Sequence, residues 1–192
     1  MAAWIQEEAA KLIGANGTRR KDDYYPTPPE CTEALMDFLR IPDNALIWEP
    51  ASGGGHITDV LRSRYYTVIG TDLRTGTDFL TANPPIGVDW IITNPPFSLS
   101  EQFIRRAAEL KIPFAFLLKS QYWHAARRVA LFRECPPTWL LPLAWRPDFT
   151  GQGKSLMDVM WCVWTGNHEH GEAKYRPLEK PGGREMKQCS IF

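Results

Sequence analysis

Short apolar runs alternate with longer amphipathic stretches along most of the chain. Residues 45–48, 66–72, 89–93 and 113–118 have strand length and apolar centres, and read as buried strands. Two further runs, 138–141 and 158–164, come late and are rich in Trp, Val and Leu. Within 30–40, Cys31, Ala34, Leu35 and Phe38 recur at helical spacing, behind the rigid segment Tyr25-Pro26-Thr27-Pro28-Pro29. Helices are also expected after a glycine-rich turn, as far as Arg64, and over 100–110 and 123–133. This alternation predicts an α/β fold: a mostly parallel, doubly wound sheet with helices on both faces. The last two strands have no helix between them, which predicts an antiparallel edge strand. The strand tryptophans, with Tyr65 and Tyr66, read as core.

A length of 192 residues predicts a single domain. It divides into an arm at 1–24, the alternating region at 25–164 and a polar tail at 165–192. Residues 1–13 could form a short amphipathic helix, with Trp4, Ile5, Ala9 and Leu12 near one face. Gly14 to Gly17 breaks it, and Arg19 to Asp23 is a solvated charge run. No apolar run is long enough for a membrane span, and the acidic N-terminus does not resemble a secretory signal, so a cytoplasmic location is expected. The four cysteines (Cys31, Cys135, Cys162, Cys189) lack CxxC spacing and read as reduced thiols. His168-Glu169-His170 lies in the polar tail without further ligands, so no metal is expected.

Charge changes the picture locally. Lys+Arg and Asp+Glu both number 22, so a globally basic nucleic-acid wrapper is excluded. Yet residues 43–101 hold only Arg62, Arg64 and Arg74 against seven carboxylates. Residues 102–133 hold Arg105, Arg106, Lys111, Lys119, Arg127, Arg128 and Arg133 against Glu109 alone.

Three candidate sites follow the first three strands. Glu49-Pro50-Ala51-Ser52-Gly53-Gly54-Gly55 is a turn whose glycines let the backbone approach a ligand. It carries half of a dinucleotide fingerprint: Gly53 and Gly55 fit, and Thr58 replaces the third glycine. A tight strand–helix turn accounts for it equally well. Asp72 ends the second strand, where an acid can accept from ribose hydroxyls; alone it reads as a solvated strand end. Asp78 could meet an adenine amino group while Phe79 covers the ring. Asn94-Pro95-Pro96-Phe97 follows the third strand. Its prolines remove two N–H donors, leaving carbonyls and one amide oxygen beside an aromatic plate. Such a pocket suits a planar group with an exocyclic NH₂.

Together these motifs resemble those of the phage-type DNA N6-adenine methyltransferases, members of the class I S-adenosylmethionine-dependent family. Glu49 to Gly55 resembles the (D/E)PxxGxG cofactor motif, and the NPPF tetrapeptide the (D/N/S)PP(Y/F/W) catalytic motif. Tyr25-Pro26-Thr27-Pro28 is similar to the cofactor-side motif before the first helix. The resemblance spans about Tyr24 to Trp164 and implies a Rossmann-like fold. It implies S-adenosylmethionine held by Tyr25, Thr27, Pro28, Glu49, Pro50, Ala51, Gly53, Gly55, Asp72, Asp78 and Phe79. It also implies a flipped-out adenine met by Asn94, Pro95, Pro96 and Phe97. DNA is the expected partner, with Lys119, Gln121, Tyr122, Trp123, Arg127 and Arg128 as candidate contacts. The segment from Trp145 to Lys154 is a candidate substrate loop. Two departures stand out. Ser52 replaces the usual Cys or Gly, and the 28 residues at 165–192 leave no room for a separate target-recognition domain. The tetrapeptide is shared with transferases for RNA adenine and for protein glutamine, and a SAM-binding module without catalysis is the further alternative.

Overall fold

The computed structural model describes residues 25–153, 157–166 and 172–182. The predicted helix at 1–13, the charge run at 19–23, Lys154, the histidines at 168 and 170, and Cys189 lie outside the described residues.

The elements are α1 (Pro29–Phe38), β1 (Leu46–Glu49), α2 (His56–Ser63), β2 (Thr67–Gly70), β3 (Trp90–Thr93), α3 (Ser100–Leu110), β4 (Phe114–Lys119), α4 (Val129–Glu134), β5 (Trp139–Pro142), β6 (Val159–Trp164) and β7 (Lys174–Tyr175). The strands form one seven-stranded sheet in the order β2-β1-β3-β4-β6-β5-β7. β1 pairs in parallel with β2 and β3, and β3 with β4. β6 runs against both β4 and β5. The antiparallel strand expected near the end of the chain is therefore present. It is seated between β4 and β5, with β5 and the short β7 outside it.

Strand alternation divides the core between two faces. On β4, Ala115 and Leu117 join Trp161 and Val163 of β6 beneath α1 and α2. Phe114, Phe116 and Leu118 join Cys162 and Trp164 on the other face, beneath α3 and α4. Burial on both faces explains why β4 and β6 read as unbroken apolar runs. Trp161 is fully buried, and its Nε1–H donates to the Cys31 carbonyl at 2.8 Å, tying β6 to α1.

Three sequence expectations change. The helix expected at 123–133 is broken into 3₁₀ turns at Ser120–His124 and Ala126–Arg128, followed by α4. The Arg128 guanidinium folds back, donating to the Tyr122 carbonyl at 2.9 Å and lying 3.7 Å over the Tyr122 ring. Trp123 stacks on Phe132 at 3.9 Å. These packing contacts outweigh the helical pattern. Second, the region read as a polar tail contributes β7, parallel to β5, and Leu178 packs into the core. Both residues of β7 are exposed, so no apolar pattern marked it. Third, Tyr65 is not core. It occupies the left-handed turn between α2 and β2, at φ 67°, and is 93% exposed. Tyr66 does pack against the core, and its hydroxyl donates to the Ile41 carbonyl.

A non-glycine residue in the left-handed region is strained by roughly 1–2 kcal/mol. The exposed Tyr65 ring has little burial to offset this. Tyr65→Gly is therefore expected to stabilise the protein by on the order of 1 kcal/mol, read as a rise in thermal midpoint.

Candidate active site

In a parallel sheet the carboxyl ends of neighbouring strands lie along one edge, where α/β proteins place ligands. Here the loops after β1, β2 and β3 meet Tyr25 and Thr27 around a cavity of about 460 Å³. Tyr25, Thr27, Glu49, Pro50, Ala51, Asp72, Asp78, Phe79, Asn94 and Pro96 line it. Pro28, Gly53, Gly55, Pro95 and Phe97 belong to the same segments but are not among the lining residues. Pro28 caps α1, and Gly55 caps α2 at φ 85°, a conformation suited to glycine.

Backbone hydrogen bonds staple the first two loops together. Thr71 N–H donates to the Glu49 carbonyl and Ser52 N–H to the Thr71 carbonyl, each at 2.9 Å. Gly53 N–H donates to Asp72 Oδ2 at 2.9 Å. Gly70 lets the loop come this close: a Cβ there would lie 3.2 Å from both Ser52 Cβ and Thr58 Oγ1.

The two acids of these loops differ in protonation. Asp72 accepts from Gly53 N–H at Oδ2, and from Arg74 N–H and Nε–H at Oδ1. Partial burial raises its pKa, but these hydrogen bonds and the Arg74 charge outweigh it and hold Asp72 below the usual carboxylate range. Glu49 is 2% exposed. Desolvation pushes its pKa up to about 8, against the hydrogen bond from Thr58 Oγ1. At neutral pH its carboxyl is mainly protonated, a neutral group ready to ionise beside a cation.

Asn94 follows β3. Its Nδ2 donates to the Tyr25 carbonyl at 3.3 Å and to Thr27 Oγ1 at 3.1 Å. Its Oδ1 is buried and has no partner among the described residues. The amide is thus oriented, with its nitrogen tied and its buried oxygen left as an acceptor, in a residue that lines the cavity. A buried acceptor without a partner is costly unless a ligand supplies a donor. The Phe97 ring lies 5.5 Å from that of Tyr25, and Lys119 Nζ lies 4.3 Å over Phe97.

The candidate DNA contacts separate. Lys119 joins the Phe97 edge of the site, and Gln121 and Arg127 are exposed. Tyr122 is buried, Trp123 is stacked on Phe132, and Arg128 is bonded to Tyr122. Two arginines of the basic stretch form ion pairs. Arg105 pairs with Glu101 and Glu134, and Arg106 with Glu109. Sequence reasoning missed Leu73, Arg74, Thr77, Ser98 and Phe103 as lining residues. Phe103 sits on the buried side of α3, and the others are in short turns without a pattern. His56, at the start of α2, also lines the cavity. Among the described residues no group of His, Cys, Asp and Glu could hold a metal, and no helix is long and apolar enough to cross a membrane.

No protein-family model and no curated protein sequence matches the chain. Solved structures do. A protein assigned as the modification subunit of a type I restriction enzyme from Vibrio vulnificus YJ016 superposes with a TM-score of 0.56 at 10% identity, covering 93% of this chain and 52% of that one. A protein assigned as a class I S-adenosylmethionine-dependent methyltransferase from Listeria monocytogenes gives 0.54 at 13% identity, covering 91% and 71%. The fold is the Rossmann-like fold of these methyltransferases. The 23S rRNA methyltransferase ErmE gives 0.50 at 12% identity, covering 72% and 69%. The chain spans about half the length of the Vibrio protein.

Glu49 makes the stability of the ligand-free protein depend on pH. An unfolded glutamate ionises near 4.5 and the folded one near 8. Between those values the unfolded chain binds fewer protons, so stability falls as pH rises. The thermal midpoint should drop between pH 5 and pH 8. Glu49→Gln should flatten that drop and raise the midpoint most at pH 8.

Proposed function

We propose that the protein transfers a methyl group from S-adenosylmethionine to the exocyclic N6 amino group of adenine in DNA. The observation that carries this reading is the Asn94 amide: tied at Nδ2, buried and without a partner among the described residues at Oδ1, in a residue that lines the cavity. The restriction-modification neighbour supports DNA as the substrate class.

The residues present fit the cofactor. Bound S-adenosylmethionine supplies an electrophilic methyl group on a sulfonium. Glu49 offers a buried carboxyl to its ammonium group and gives up a proton in doing so. Asp72, held ionised, offers acceptors for ribose hydroxyls. Asp78 and Phe79 lie together on the cavity wall, where a carboxylate and an aromatic face suit an adenine ring.

The adenine amino group is a weak nucleophile, because its lone pair is delocalised into the ring. Asn94 Oδ1 and the Pro95 carbonyl would accept hydrogen bonds from its two N–H groups. This draws the nitrogen towards tetrahedral geometry and localises the lone pair for attack. As the N–C bond forms the methyl–sulfur bond would break, S-adenosylhomocysteine would leave and N6 would lose one proton to solvent. Phe97 would stack on the flipped base; such stacking is worth about 1–3 kcal/mol. Tyr25 and Thr27 act on the chemistry indirectly by fixing which end of the Asn94 amide faces the base. The remainder of the rate comes from alignment.

Incubation with methyl-labelled S-adenosylmethionine and DNA, RNA or a protein extract tests this, with modified nucleosides resolved by mass spectrometry. N6-methyladenine should appear in DNA. Label confined to RNA or to glutamine would overturn the proposal.

Asn94→Ala should lower turnover by roughly 100-fold or more, the scale for losing one aligned polar group in an active site. Calorimetry should find its cofactor affinity unchanged. Asp72→Ala should do the reverse and weaken cofactor binding first.

A further inference from the structure

The turn after β2 sets a cation against the acid that a ribose would use. Asp72 and Arg74 both line the cavity, as do Leu73, Thr77 and Asp78 of the same segment. Arg74 Nε–H donates to Asp72 Oδ1 at 2.9 Å. The Arg74 side chain is 54% exposed and the Asp72 side chain 13%. The guanidinium is therefore the outer member of the pair, and the carboxylate the covered one.

The turn itself is closed without this contact. Thr75 N–H and Thr77 N–H donate to the Asp72 carbonyl at 3.0 and 3.1 Å, and Thr75 Oγ1–H donates to it at 2.9 Å. Gly76 ends the turn in left-handed backbone at φ 94°, with its N–H on the Leu73 carbonyl. Arg74 N–H donates to Asp72 Oδ1 at 2.9 Å, a backbone bond that any residue except proline would make there. The side-chain bond is an addition to this frame, and an ion pair this exposed adds little stability.

Counting acceptors gives the pair a consequence. An ionised carboxylate has about four lone-pair sites. Among the described residues, Gly53 N–H, Arg74 N–H and Arg74 Nε–H already donate to Asp72. A ribose brings two neighbouring hydroxyl donors, one more than the carboxylate has room for. The two backbone donors are fixed by the glycine loop and the turn. Arg74 Nε–H is the donor that can leave, because an exposed and rotatable side chain carries it. We propose that Arg74 is a displaceable stand-in for one ribose hydroxyl, holding Asp72 in the empty site and yielding when a ligand offers both hydroxyls. This rests on the reading of the cavity as an S-adenosylmethionine site. Arg74 touches no reacting atom; it sets how much the second hydroxyl contributes to binding. A ligand with one hydroxyl uses the remaining lone pair and leaves the ion pair in place, whereas a ligand with both must break it. The product S-adenosylhomocysteine carries the same ribose and must leave in each cycle, and the returning guanidinium offsets part of its affinity.

Calorimetry on Arg74→Ala tests this, with S-adenosylhomocysteine as the probe. The variant keeps the backbone N–H at 74, and its thermal midpoint establishes that it is folded. S-adenosylhomocysteine should bind roughly two- to fivefold more tightly, the scale of an exposed ion pair. Adenosine and 2′-deoxyadenosine then separate competition for Asp72 from the general effect of removing a charge. Adenosine should gain by a similar factor and 2′-deoxyadenosine should not. Weaker or unchanged binding of S-adenosylhomocysteine, or equal gains for the two nucleosides, would overturn the inference while leaving the cofactor reading intact. A wild-type protein that binds neither S-adenosylmethionine nor S-adenosylhomocysteine would overturn that reading and this inference with it.

Discussion

The loop after β1 lies against the end of β2, so closely that a Cβ at Gly70 would push Ser52 and Thr58 back by a few tenths of an ångström. Much of the site depends on that approach. It brings Ser52 N–H to the Thr71 carbonyl and Gly53 N–H to Asp72, so two loops 19 residues apart in sequence behave as one wall. Thr58, which also presses on Gly70, is the residue that donates to Glu49. A single close packing contact thus sets the backbone of the glycine loop, the orientation of Asp72 and the environment of Glu49. A parallel sheet makes this possible, because it delivers the ends of β1, β2 and β3 to the same edge.

The same wall holds two acids in opposite states. Asp72 is partly open to solvent and surrounded by donors, so its charge is stabilised. Glu49 is deeply buried, and desolvation outweighs its hydrogen bonds from the Thr58 hydroxyl and backbone N–H, so its charge is penalised. The contrast comes from burial and donor count and not from residue type. It makes the site selective in charge. One end suits neutral hydroxyl donors, and the other becomes favourable when a cation arrives to share the buried carboxyl.

Asn94 illustrates a different constraint. An amide has two chemically distinct ends, and only its surroundings determine which faces a ligand. Two acceptors from the segment before α1, the Tyr25 carbonyl and Thr27 Oγ1, hold its nitrogen. The residues ahead of the first helix, distant in sequence from the tetrapeptide, therefore determine the polarity of the proposed base pocket. Tyr25 adds a second connection. Its ring packs against both Phe97 and Phe149, which links the Asn94–Phe97 turn to the β5–β6 loop.

The sequence by itself determined the α/β architecture, because strands buried on both faces must be apolar throughout and helices packed on them must be amphipathic. Six strands and most helices were legible for that reason. The glycine loop, Asp72 and the NPPF turn were also legible, since each is contiguous and ends a strand. Other features existed only in the tertiary structure. β7 is two exposed residues held by backbone hydrogen bonds, which leave no mark on side-chain pattern. The helix expected at 123–133 gave way to Arg128 folding onto Tyr122, a contact with no periodicity. Within the basic stretch, Arg105 pairs with Glu101 and Glu134 and Arg106 with Glu109, partners that the charge count alone did not reveal. The protonation of Glu49 and the direction of the Asn94 amide depend on burial and on partners brought together by folding. Residue type and spacing carry no record of either.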